Sequence, residues 1–337
     1  MKKPYNYLHI LVLFFSVQSV QIYGQQTEID TNIQSEYNNA IKLFNSKAYA
    51  AAQKYFIEVS ENSTIKNDLK ANADYYDAMC AIKLNQTNAD KKVIRFVNNY
   101  PSSTKKDRAY FNVGNYYFAN KKAAYALKWY SKVNLDALSL ANKKELNFKM
   151  GYAFLSTRNL DLAKNKFVLL INDPKYGNDS RYYFGYISYK QEDYEIAEKT
   201  LEEIADDEAY KSEVTYYLLD ISFKAGRFEK CIEVGLKLLE NAKPKEVSEI
   251  SKIIGESYFN LKKYKESIDY LKAYRGKKGK WNNTDYYQLG YAFFKQNDFE
   301  NAVNNFNKII DEKNNVSQKA YYNLGECYIY LKKKPEA

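Results

Sequence analysis

Histidine is almost missing from this sequence. The only one is His9, inside an N-terminal stretch that reads as a removable leader. Without it the chain has no imidazole for a Ser-His or Cys-His dyad, for a His-ligated metal, or for proton shuttling at neutral pH. No enzymatic role, cofactor or metal is therefore expected. Glycine and proline are also scarce, 12 and 5 in 337 residues, which argues against an all-β fold and for long helices. The three cysteines, Cys80, Cys231 and Cys327, are odd in number and far apart, so they read as small buried hydrophobes rather than a disulfide framework. Long apolar runs are absent too. The longest, Leu8 to Val17, has ten residues, against the roughly 20 needed to span a bilayer.

That run follows Lys2 and Lys3 and precedes the small residue Gly24. Basic, apolar and small segments in this order form a secretory signal, which predicts a signal peptide over 1–24 and a short linker over 25–33. The expected location is exported, periplasmic or outer-membrane-associated in a bacterium. Removal of Lys2 and Lys3 lowers the net charge from +10 to +8. That value is compatible with acidic partners or an anionic surface and specific for neither. Export excludes nucleic acid as a partner, and the mature chain has no transmembrane span.

What the sequence has in abundance is aromatic residues, 16% of the total with 35 tyrosines, and a repeat. The segments beginning at Tyr110, Asn147 and Tyr286 share one order: a small residue, an aromatic or apolar residue three later, a small one twelve later and a large one sixteen later. Anchoring on the first small position gives Ala40, Ala78, Gly114, Gly151, Gly185, Leu219, Gly255, Gly290 and Gly325, at spacings of 34 to 38. Small residues at the anchor and twelve later (Ala52, Ala126, Ala163, Ala197, Cys231, Ser267, Ala302, Ala337) mark a close helix crossing. Large ones sixteen later (Phe56, Ile94, Tyr130, Phe167, Leu201, Leu271, Phe306) fill the space beside it. Pro101, Pro174 and Pro244 fall between units, where helices end. Two units depart from the order: Asp90 stands at the second small position of one, and Leu219 and Gly235 exchange small for large in another. Each unit is thus a helix–turn–helix that buries its apolar face only against its neighbours.

In this order of small and aromatic residues the chain resembles the tetratricopeptide repeat family. The segment Asn98 to Ser103 is similar to unit junctions of bacterial cell-envelope members. The resemblance implies an all-α fold, an α-solenoid of hairpins wound into a right-handed superhelix over 34–337, with about nine repeats of which the last is incomplete. It implies a non-catalytic scaffold or adaptor that holds a protein or peptide partner in a concave groove. Two other readings stay open: substrate-positioning repeats at the start of a longer enzyme, and a peptidoglycan- or glycan-binding accessory. Three residues before the anchors stand Tyr37, Tyr75, Phe111, Phe148, Tyr182, Tyr216, Lys252, Tyr287 and Tyr322. By resemblance this offset faces the groove, so the eight rings either form a binding ladder or pack helix against helix. A second candidate is the loop Arg275, Lys277, Lys278, Lys280 and Trp281, read as a flexible connection suited to an acidic protein, a phosphate-bearing lipid or a glycan. The acidic pairs Glu202-Glu203 and Asp206-Asp207 read as solvated surface.

Overall fold

The computed structural model describes residues 32–62, 67–309 and 314–333. The expected leader and most of the linker, together with Ala337, lie outside them. Seventeen α-helices, two short 3-10 turns and no β-strand are found among the described residues. The helices alternate between a first and a second member of a hairpin. The first members are α1 (32–45), α3 (Asn67–Lys83), α5 (Lys106–Ala119), α7 (Leu140–Ser156), α9 (Gly177–Lys190), α11 (Lys211–Lys224), α13 (Pro244–Asn260), α15 (Asn283–Lys295) and α17 (Asn315–Tyr330). The second members are α2 (Tyr49–Glu61), α4 (Ala89–Asn99), α6 (Ala123–Tyr130), α8 (Leu160–Phe167), α10 (Tyr194–Glu202), α12 (Phe228–Leu239), α14 (Tyr264–Ala273) and α16 (Phe299–Phe306). The hairpins form two compact units, one ending at Tyr176 and the other starting at Gly177. Within each unit every helix packs on the next in sequence.

The crossing works as the sequence pattern requires. A Cβ added at Gly114 would lie 2.3 Å from the ring of Tyr130, and one at Gly151 2.9 Å from Phe167. The same holds at Gly185 against Leu201, Gly255 against Leu271 and Gly290 against Phe306. The large residue sixteen positions on therefore lies directly on the anchor's backbone, which leaves no room for a side chain. Twelve positions on, the hydroxyl of Ser267 donates to the carbonyl of Gly255 at 2.8 Å, and the thiol of Cys231 to Leu219 at 3.6 Å. All three cysteines are buried free thiols, and burial pushes Cys80 up to about 12 and Cys327 up to about 11.

Two departures resolve differently. In the second hairpin the small residue is not Asp90 but Ala89, because an additional turn at Thr87-Asn88 starts α4 later than the other second helices. The register shifts by one, Val93 and Phe96 enter the core, and Ile94, expected inside, is 41% exposed. In the sixth hairpin large and small have changed places: Leu219 is buried at the anchor, and the space at Gly235 is filled by Ile254 of α13.

Each first helix ends in the same turn. The residue seven after the anchor has φ between +56° and +73° in all nine cases: Lys47, Asn85, Lys121, Arg158, Glu192, Gly226, Lys262, Asn297 and Lys332. Its N–H bonds back to the carbonyl three residues earlier, and the next N–H to the one five earlier, as in Lys121 to Phe118 and Lys122 to Tyr117. This is the Schellman closure, which satisfies the last carbonyls of the helix. Only one of the nine is glycine, although a left-handed conformation costs other residues about 1–2 kcal/mol each. Lys121→Gly, Arg158→Gly and Lys262→Gly are each expected to raise stability by about 0.5–1 kcal/mol, net of glycine's greater unfolded-state freedom. Arg158→Val is expected to lower it, and chemical denaturation of the four variants checks both signs.

Candidate functional site

The eight aromatics three residues before the anchors sit one helical turn from the crossing, so their first contacts lie inside the hairpin. Tyr37 meets Phe56 edge-on at 5.8 Å, Phe111 lies tilted on Tyr130 at 6.2 Å, Phe148 meets Phe167 at 5.9 Å and Tyr287 lies on Phe306 at 6.0 Å. The second ring in each pair is the large residue that fills the crossing. Tyr75 and Phe111 are 4% exposed, so neither is an accessible rung. Tyr37, Phe148, Tyr182, Tyr216 and Tyr287 are half-buried, and Tyr322 is 69% exposed. The continuous ladder is thus replaced by packing, with ring edges left open at some positions.

Lys252, the exception in that row, belongs to an ion cluster. Its Nζ lies 2.8 Å from Oδ1 of Asp285, 3.9 Å from Glu256 and 4.5 Å from the ring centre of Tyr274. Asp285 is buried, and its other oxygen accepts the backbone N–H of Asn282 to cap α15. Burial raises Glu256 above the usual carboxylate range, with Lys252 opposing it.

The basic loop is an ordered turn rather than a flexible connection. Gly276 and Gly279 adopt positive φ, Lys277 and Lys280 form an isolated antiparallel bridge, and a Cβ at Gly276 would strike the backbone of Lys280 at 2.4 Å. Trp281 lies between Tyr274 at 6.2 Å and Tyr286 at 5.2 Å and donates its indole N–H to the carbonyl of Tyr274. It therefore pins the loop to the hairpins. Arg275, Lys277, Lys278 and Lys280 are exposed around it.

The more coherent surface lies one turn further along the first helices, at one, four and five residues past the anchor. On α9 these are Tyr186, Tyr189 and Lys190, and on α15 Tyr291, Phe294 and Lys295. Lys190 stands 5.5 and 5.3 Å from the ring centres of Tyr186 and Tyr189, and Lys295 stands 5.1 and 5.2 Å from Tyr291 and Phe294. Tyr217 of α11 joins the α9 rings at 5.7 Å from Tyr186 and 4.9 Å from Tyr189. The Tyr189 hydroxyl donates to Asp220 at 2.6 Å, and Lys224 binds the same carboxylate at 2.5 Å. The result is a half-buried sheet of tyrosines with lysines over it, a surface that offers apolar area, ring faces and positive charge together. In the sequence this second row shows as an aromatic one and four residues after Gly185 and Gly290 with lysine at the fifth.

Residues 286–312 match the family model for the tetratricopeptide repeat. Most of that stretch is the α15–α16 hairpin, whose closing turn recurs at the ends of the other described first helices. No match was found among curated proteins. Among solved structures, MamA of AMB-1 aligns at 17% identity over 51% of this chain and 91% of its own, with a TM-score of 0.43. A tetratricopeptide repeat protein of Parabacteroides merdae aligns at 15% over 82% and 98%, with 0.40. PilF of Pseudomonas aeruginosa aligns at 16% over 67% and 96%, with 0.43. No helix among the described residues is long and apolar enough to cross a membrane.

The tyrosines set an alkaline limit on this fold. Burial, above all, pushes Tyr37 and Tyr75 up to about 12, and burial with a carboxylate partner does the same for Tyr100 beside Asp74 and Tyr117 beside Asp90. Tyr189 moves in the same direction through burial and its bond to Asp220. The folded state favours the neutral phenol, so this stabilisation is complete below the unfolded value near 10 and is lost as pH rises through the folded values. The unfolding midpoint should stay flat from about pH 7 to 9 and fall above about 10, with exposed tyrosines ionising first and the buried ones only together with loss of helix. Ionisation of all the tyrosines near 10 with the helices intact would contradict this.

Proposed function

We propose that this protein is a non-catalytic scaffold of the bacterial cell envelope. It holds a protein or peptide partner against the ring-and-lysine faces of its first helices. The observation that supports this most is the α9–α11 surface. Tyr186, Tyr189 and Tyr217 are held by their mutual packing and by Asp220, so a partner docks on rings that are already in place and lose little freedom. Aromatic side chains of this kind dominate the energetics of protein interfaces. The basic, apolar and small segments of residues 1–24 support export. A glycan-binding role for Trp281 is less well supported, since its ring is stacked between two tyrosines and its N–H is already used.

Photo-crosslinking groups placed at Tyr186 and Tyr291 in the exported protein are expected to give discrete protein adducts. A group at the exposed Lys199 of α10 is expected to give none. Tyr186→Ser with Tyr291→Ser should abolish the adducts captured from neighbouring positions while the helical circular dichroism signal at the working temperature is kept, although lost ring packing lowers the melting temperature. Adducts that are equal at all positions, or that persist in the double variant, would refute the assignment of this face.

A further inference from the structure

The exchange of Leu219 and Gly235 has a consequence for the space around α12. Leu219 fills the crossing itself, and Gly235 lets α12 close against Ile254 of α13. Between the start of α11, the end of α12 and the start of α13 a cavity of about 860 Å³ opens to the surface. Sites that enclose small ligands span about 300–1,000 Å³, so the space is ample for an apolar side chain together with the backbone that carries it. The apolar wall comes from Tyr216, Tyr217, Val234, Leu238 and Ile250. Leu238, at the position nineteen after its anchor, is only half-buried, whereas Val59, Leu170 and Ile204 at that position elsewhere are buried.

Four carboxylates, Glu208, Glu213, Glu246 and Glu249, stand around the mouth against three lysines, Lys211, Lys237 and Lys243, which leaves it net acidic in a chain that is basic overall. Glu208 faces Lys211 at 3.5 Å, and Glu246 is committed to the N-terminus of α13, where it accepts the backbone N–H of Lys243. Lys237, also at the rim, is paired with Glu233 at 2.7 Å. Glu213 and Glu249 are exposed and have no hydrogen-bond or ion-pair partner among the described residues. Their charge reaches the wall: burial, Asp220 and Glu249 raise Tyr216, and burial, nearby tyrosines and Glu213 raise Tyr217. An apolar pocket with two uncommitted carboxylates at its entrance favours an occupant that brings an apolar group and a cation together.

We propose that this cleft is a docking site for a partner-protein segment in which an apolar side chain is flanked by lysine or arginine. The apolar side chain enters between Val234 and Ile250, and the cations meet Glu213 and Glu249. This rests on the scaffold reading and adjoins its surface, since Tyr217 lines the cleft and also packs on Tyr186 and Tyr189, whereas Glu213, Val234, Glu249 and Ile250 belong to the cleft alone.

The test uses the full chain and a fluorescent peptide of alternating leucine and lysine, with alternating leucine and glutamate as the counter-probe. Saturable binding of the first peptide, read by anisotropy, is expected to weaken at least about ten-fold in the Glu213→Lys, Glu249→Lys double variant. Val234→Trp, which fills the cleft, should weaken it similarly. The same charge change on α10, Glu195→Lys with Glu202→Lys, should leave affinity within about two-fold. The surface double variant keeps the test valid if Val234→Trp fails to fold. Absence of saturable binding, equal binding of the glutamate peptide, or equal loss in the α10 variant would overturn the proposal. Peptide binding that fails while adducts at Tyr186 and Tyr291 persist refutes the cleft and leaves the scaffold reading standing.

Discussion

The close crossing of the two helices in each hairpin is the constraint on which the rest depends. Where the anchor is glycine, the backbone of the first helix touches a large side chain of the second, and even one added carbon would lie 2.3 to 2.9 Å from it. Contact this tight fixes the register of both helices, because a rotation of one residue would bring a side chain into the gap. The second hairpin shows the rule by exception. There α4 starts late and shifts by one residue, and Ala89 takes over the place that Asp90 would otherwise have had to fill.

The connecting turn supports this geometry from outside. Nine first helices end in one closure, and seven of the eight second helices then start nine residues after the anchor, whichever residue occupies the left-handed position. Lysine, arginine and glutamate at that position carry strain that packing offsets. This explains why so few glycines are enough. At the crossing five hairpins use glycine at the anchor and two use alanine, Ala40 and Ala78, while the turn tolerates larger substitutes.

Much of this was legible in the sequence. Small residues at the anchor and twelve later, with a large one at sixteen, identify the crossing contact in five hairpins directly. The exchanged pair Leu219 and Gly235 already marked the sixth hairpin as different. What could not be read was the direction of rings. Tyr75 and Phe111 have the same spacing as Tyr216 and Tyr287, yet the first two are core and the others half-buried, because burial depends on what packs against each ring and not on the residue itself. The closing turn was also hidden, since its left-handed residue is glycine only at Gly226. The loop at Arg275 to Trp281 looked flexible from its glycines, but those glycines make a tight bridge possible, and Trp281 is consumed in holding it.

The surfaces proposed for docking are particular to a few hairpins, whereas the crossing is shared by nearly all of them. The repeat makes a regular support, and the surfaces that differ from unit to unit are the tyrosine–lysine faces and the cleft beside α12. If nearest-neighbour crossings hold the array together, damage at one crossing must stay local. Native-state hydrogen exchange on Gly255→Val measures this most directly, because the added side chain strikes both the side chain and the backbone of Leu271. The account predicts lost protection in α13 and α14, a smaller loss in α12 and α15, and unchanged protection in α9 and α10. Unaltered exchange in α13 and α14, or a uniform loss across the whole second unit, would contradict it.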